Sequence, residues 1–89
     1  MRNNLLDDVR RLILEKSSEI QSEAESGIVK TKVSFPYNEI MEYANIDITR
    51  MLYIELINRG IYIHIDNEIK MNNSYTYDID IVNVDRPFA

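Results

Sequence analysis

The stretch YNEIMEYANIDITRMLYIELINRGIYI, residues 37–63, reads as two helices in tandem that run into a strand. The break between them falls at Asn45-Ile46. Asn38 is placed to cap the first helix and Asp47 the second, because short polar side chains accept the orphan N–H groups of a first turn. Ile48, Leu52 and Leu56 recur at helical spacing and form the expected core stripe. Gly60 terminates the second helix by supplying left-handed backbone. Beyond it, Ile61, Ile63 and Ile65 alternate with polar residues at the period of a strand.

On the N-terminal side, residues 5–26 form a predicted helix. Leu5, Leu6, Val9, Leu12, Ile13, Ile20 and Ala24 fall on one stripe. Asn4 is a fitting N-cap, Asp7 and Asp8 suit the positive end of the helix dipole, and Gly27 suits a left-handed C-terminal cap. IVKTKVSFP (28–36) then reads as a strand. Val29, Thr31, Val33 and Phe35 point one way, Lys30, Lys32 and Ser34 the other, and Pro36 closes it. On the C-terminal side, residues 61–82 read as a hairpin. A three-residue loop at 72–74 pairs Met71 with Tyr75, Ile69 with Tyr77 and Ile65 with Ile81. That register sets Glu68 against Asp78 and Asp66 against Asp80. A second turn at Asp66-Asn67-Glu68 would instead make a meander, with Ile63 opposite Met71. Val82 and Val84 break the alternation, as a bulge or a strand end does.

The order helix, strand, helix, helix, strand, strand specifies an α+β fold with a small antiparallel sheet, in one domain spanning residues 1–89. The ending Arg86-Pro87-Phe88 is expected either to fray, from about residue 85, or to fold back onto the core. This order resembles the winged helix-turn-helix superfamily. The likeness is carried by residues 37–63, with Ile46 and Ile48 inward at the turn and Leu56-Ile57-Asn58-Arg59-Gly60-Ile61 leading into the wing. The resemblance implies a winged-helix-like fold, with residues 47–59 as the helix offered to a DNA major groove. Thr49, Arg50 and Tyr53 would then face bases, and Arg59 and Lys70 would lie near phosphates. A simple helix-backed sheet is the competing architecture.

Composition narrows the partners. The chain has 89 residues, no cysteine and a net charge of −5. Disulfides, thiol catalysis and cysteine-ligated metal are excluded, and a reducing cytosol fits. The N-terminus carries acids among short apolar pieces, unlike a signal peptide, and no apolar run approaches the roughly 20 residues that span a bilayer. A cytoplasmic, non-membrane protein is the expectation. Excess acid argues against a large phosphate-binding surface and permits a basic partner. The 14 Ile, 9 Asn and 6 Tyr have AT-rich codons, which suggests a phage or other AT-rich genome.

Two surfaces stand out. Asp66, Glu68, Asp78 and Asp80 carry the polar side of the hairpin, where facing like charges are destabilising. Glu15, Glu19 and Glu23 follow each other at spacing of four on the first helix, with Arg11 able to pair with Glu15. These acids are read as a docking face for a cationic partner, in the manner of a nucleic-acid mimic or inhibitor. The plain alternative is a solvated face neutralised by Lys30 and Lys32 across from Asp78 or Asp80, and a divalent-cation site is a third reading.

The second surface is the outer face of the third helix, Arg50, Tyr53, Ile54 and Ile57. Apolar residues nearly all round that helix predict burial between the first helix and the sheet. Exposed, the same residues would anchor a protein partner or a homodimer. His64 and Asp66 share a face, yet no nucleophile or glycine-rich turn accompanies them, so no enzyme, cofactor or metal is expected. The leading expectation is a non-enzymatic acidic binding protein, an inhibitor or adaptor. The alternative is a winged-helix DNA-binding regulator.

Overall fold

The computed structural model describes residues 5–37, 39–71 and 73–85. The expected caps Asn4 and Asn38, Asn72 of the turn, and Arg86-Pro87-Phe88 lie outside the described residues. The elements run α1 (Leu5–Glu25), β1 (Lys30–Pro36), α2 (Glu39–Tyr43), α3 (Ile48–Asn58), β2 (Ile61–Lys70) and β3 (Ser74–Val84). The fold is α+β and winged-helix-like, with three helices against one face of a three-stranded antiparallel sheet of order β1-β3-β2.

Local chemistry sets the boundaries. Asp47 caps α3, its carboxylate accepting the Arg50 N–H at 3.1 Å. Asn45 turns the chain between α2 and α3 with φ of 56°, a conformation that asparagine tolerates. At the end of α1, Gly27 takes φ of 89°. The Ile28 N–H then reaches back to the Glu23 carbonyl and the Gly27 N–H to that of Ala24, a Schellman closure. Gly60, φ 76°, ends α3, and its carbonyl accepts the Asp85 N–H at 2.6 Å.

One hydrophobic core fills the space between helices and sheet. Val9, Ile13, Ile20 and Ala24 of α1, Met41 of α2, and Ile48, Leu52 and Leu56 of α3 meet Val33, Phe35, Ile61, Tyr77, Ile79 and Ile81. Leu52 and Leu56 lose all contact with solvent, which stabilises the fold by about 1.5–3 kcal/mol for each side chain. The expected stripe of α1 holds except at Leu6, which is exposed. Ser17 joins the stripe instead, fully buried, its hydroxyl without a hydrogen-bond partner among the described residues.

The hairpin register differs from the expected one. Met71 N–H donates to the Ser74 carbonyl, so the chain reverses over a shorter loop than residues 72–74 require. Lys70 therefore pairs with Tyr75, Ile69 with Thr76 and Glu68 with Tyr77. Asp66 is then an extra residue on β2, between the pairs Ile65–Ile79 and Asn67–Asp78. Val82 is the matching extra residue on β3, at the break in alternation that the sequence showed. β2 runs unbroken through residues 66–68, so no meander forms. The bulge at Asp66 exchanges the faces of β2. Ile61, Ile63 and Ile65 face the helices before it, and Glu68 and Lys70 face them after it.

Candidate functional site

The outer face of the sheet has no helix over it, and its charges answer one another. Lys30 Nζ lies 2.7 Å from Asp80 and 3.8 Å from Asp66, and Lys32 Nζ lies 3.5 Å from Asp78. The register demands this, since Lys30 sits opposite Asp80 and Lys32 opposite Asp78 across β1 and β3. His64 Nε2 stands 3.5 Å from the other Asp66 oxygen. The hydrogen bond from Lys30, then that with Asp66, holds the Asp80 carboxyl below the usual carboxylate range. Asp66 moves the other way, chiefly through its hydrogen bond with Asp80 and then through desolvation.

Glu68 does not belong to this face. The bulge carries it to the helix side, where the Thr49 hydroxyl donates to it at 3.3 Å. The predicted facing pairs Glu68–Asp78 and Asp66–Asp80 are therefore corrected, although Asp66 still meets Asp80 from the bulge. On α1, Glu15 and Glu19 are exposed, whereas Glu23 accepts a 2.5 Å hydrogen bond from Thr31 and ties α1 to β1. Arg11 pairs with Asp8 at 3.4 Å rather than with Glu15. The seven expected acids are thus not one surface. They divide into three on a sheet face matched by lysines, two ties to neighbouring elements through Glu23 and Glu68, and an exposed pair on α1. Among the described residues no three imidazole or carboxylate side chains gather to hold a metal ion.

The residues of the DNA-binding alternative are drawn inward. The Thr49 hydroxyl lies 2.8 Å from that of Tyr77, which burial pushes up to about 12. Tyr53 accepts the Ile65 N–H at 3.2 Å, so its ring lies along β2. Arg59 donates to Glu55 at 2.9 Å and also to Ser18 and Gln21, clamping α3 to α1. Lys70 reaches Glu42 at 2.6 Å and stands 4.6 Å above the Tyr37 ring. The hydrogen bond to Glu42 raises the pKa of Lys70, and the same contact lowers that of Glu42. Behind it Tyr37 meets Tyr75 edge to face and Tyr75 stacks on Tyr77, and the Lys70–Glu42 pair latches the hairpin tip to α2. Of the five residues, only Arg50 has a side chain with no such bond to another described residue.

The third helix corrects the expectation of burial on all sides. α1 covers one flank and β2 another, leaving Ile54 48% and Ile57 49% exposed. Leu6 and Leu14 of α1, 40% and 49% exposed, stand beside Ile54. Leu6, Arg10, Leu14, Met51, Ile54 and Glu55 line a groove of about 360 Å³ between the two helices, with Ile13 at its floor. A second depression shares Leu6 and Met51 and continues past Arg50 to the turn at Ala44–Asp47. The α1 bank is hidden in the sequence by the helical spacing of Leu6 with the core stripe. Its signal is the spacing of four through Leu6, Arg10 and Leu14.

No helix among the described residues is long and apolar enough to cross a membrane. Comparison with family models, curated proteins and solved structures returns no match for this chain.

Proposed function

We propose that this chain is a non-enzymatic protein–protein interaction module, an adaptor or inhibitor, whose docking surface is the outer face of α3 with the adjoining bank of α1. The observation that carries the reading is the grouping of three half-exposed large aliphatics, Leu6, Leu14 and Ile54, along one groove between neighbouring helices, with half-exposed Ile57 one turn further along α3 from Ile54. Scattered apolar residues are ordinary on a surface, whereas a grouped patch beside an arginine is the chemistry of an interface. Kinship with winged helix-turn-helix proteins is part of the proposal and rests on element order and sheet order. In this reading the wing and the third helix keep their places but serve packing and partner contact.

The expected basic partner for the sheet face has weaker support, because Lys30 and Lys32 already answer Asp66, Asp78 and Asp80. Exposed pairs of this kind stabilise by only about 0–1 kcal/mol, but two lysines set against three carboxylates leave little net charge for a target to read. The winged-helix regulator reading keeps only Arg50 as an uncommitted contact. Affinity capture from a cell lysate treated with nuclease tests the proposal. Wild-type protein should retain a partner that an Ile54→Ser/Ile57→Ser variant of unchanged circular dichroism loses. Capture equal for both proteins, or retardation of random duplex DNA at low salt, would overturn it.

A further inference from the structure

We infer that the groove between α1 and α3 receives an amphipathic helix that carries carboxylates beside its apolar stripe. The inference rests on the interaction-module reading and adds the chemistry of the partner.

The lining is largely apolar, with Ile13 at the floor and Leu6, Leu14, Met51 and Ile54 around it. The charge of its banks points to acid. Five cations of the described residues, Arg11, Lys30, Lys32, Arg59 and Lys70, pair with carboxylates of this chain. Arg10, Lys16 and Arg50 have no such pair among the described residues; Arg10 lines the groove from α1, and Arg50 of α3 lines the depression that continues it past Leu6 and Met51. The carboxylates nearby are already used. Glu55 is held by Arg59 at 2.9 Å, and Asp47 accepts the N–H of Arg50 at the positive end of α3. Asp7, three residues before Arg10, occupies the corresponding end of α1. What remains for a partner is an apolar trough with the Arg10 guanidinium on its α1 bank and that of Arg50 in the depression that continues it, in a chain of net charge −5.

Length sets the size of the occupant. Leu6 to Leu14 spans eight residues of helix, about 12 Å at 1.5 Å per residue. The Arg59 clamp to Ser18 and Gln21 closes one end, and the α2–α3 turn bounds the other. About two turns of helix fit, with anchors at i, i+3 or i+4, and i+7. A second copy of this chain on a two-fold axis would bring the same arginines against each other, which opposes that occupant.

The test uses the full chain and a panel of fluorescent 14-residue helical peptides. Each has one apolar stripe, of Leu, Ile, Met or Phe, flanked by Glu, and each has a twin flanked by Lys. A Glu-flanked member should bind about tenfold more tightly than its Lys twin, and an Arg10→Glu/Arg50→Glu variant should reverse the preference. Failure of every member to bind, equal affinity for the twins, or a preference that survives the charge reversal overturns the inference. So does a mass that doubles with concentration in light scattering and is restored to the monomer by Ile54→Ser, which assigns the groove to a second copy. Lysate capture that depends on Ile54 and Ile57, together with charge-blind peptides, removes the acidic helix alone. Capture indifferent to those residues removes the module reading beneath it.

Discussion

Replacing Ser17 by alanine should make this protein more stable. Ser17 lies in the middle of α1, fully buried, and its hydroxyl has no hydrogen-bond partner among the described residues. In the unfolded chain that hydroxyl is hydrated, so folding strips it of water and returns nothing. Leaving a polar group buried and unpaired costs about 1–3 kcal/mol. Alanine is also the better helix former, by roughly half a kcal/mol. The void left by one oxygen subtracts a smaller amount, since the transfer and cavity terms scale with the volume removed. The net expectation is a gain of about 1–3 kcal/mol. For a chain of this size that corresponds to a rise in Tm of roughly 5–20 °C. Urea unfolding followed by far-ultraviolet circular dichroism measures it, with an unchanged m-value as the condition for comparison. Ser17→Val should do the reverse and cost about 1–3 kcal/mol, because added bulk would force the packed core of α1 apart. A loss of stability in Ser17→Ala at constant m would refute the reasoning, because it would mean that the hydroxyl has an acceptor in the folded protein.

Asp66→Asn should raise Tm at pH 7. The folded-state pKa of Asp66 is raised, so its ionised form opposes folding above the ordinary carboxylate range, and the gain should vanish as pH falls below that range. Thermal melts from pH 3 to 8 would show this, and a gain that persists in acid would refute it. Tyr77 has its pKa raised from 10.0 to about 12, so the folded state holds this proton more tightly than the unfolded chain does. That contribution to stability is complete below about pH 10 and is lost as pH climbs towards 12, and Tyr77→Phe should flatten the alkaline part of a pH–stability curve. Gly60→Ala should destabilise more than Gly27→Ala by at least about 1 kcal/mol. Both need positive φ, but an added Cβ at Gly60 meets the Asp85 carbonyl at 3.0 Å, whereas at Gly27 it meets nothing within 4 Å. Equal denaturant midpoints for the two variants would refute that difference.

Much of the architecture was legible because it is written in local signals. The Asp47 cap, the turn at Asn45 and the two glycine ends follow from the chemistry of helix termini, and the period of the apolar residues told helix from strand. The pairing of Lys30 and Lys32 with the hairpin acids followed from placing them on the polar side of their strand. The register was lost to one residue of loop length. Because the side-chain period of a strand is two, a single inserted residue at Asp66 sends Glu68 to the opposite face. Periodicity could not reveal that insertion, since residues 66–68 are all polar and read alike on either face.

The site was harder to read for a related reason. A helix apolar nearly all round fits burial equally well whether its last flank meets protein or solvent, and only the position of α1 decides which. Ile54 and Ile57 remain half-open because α1 crosses on the Met51–Glu55–Arg59 side. Arg59 shows the same dependence. Its spacing of four from Glu55 was readable, but its bonds to Ser18 and Gln21 depend on residues about forty positions away.

The Tyr53 hydroxyl takes the Ile65 N–H on the side of β2 that has no neighbouring strand. An edge strand with free amides is a template on which another chain can continue the ladder. Here a phenol from α3 blocks that template at mid-strand, and the bulge one residue later bends the remainder out of line. Growth of the sheet from this edge into ribbons or fibrils would require Tyr53 to swing away first. The same residue that a DNA-reading helix would turn outward thus serves as a guard against self-polymerisation.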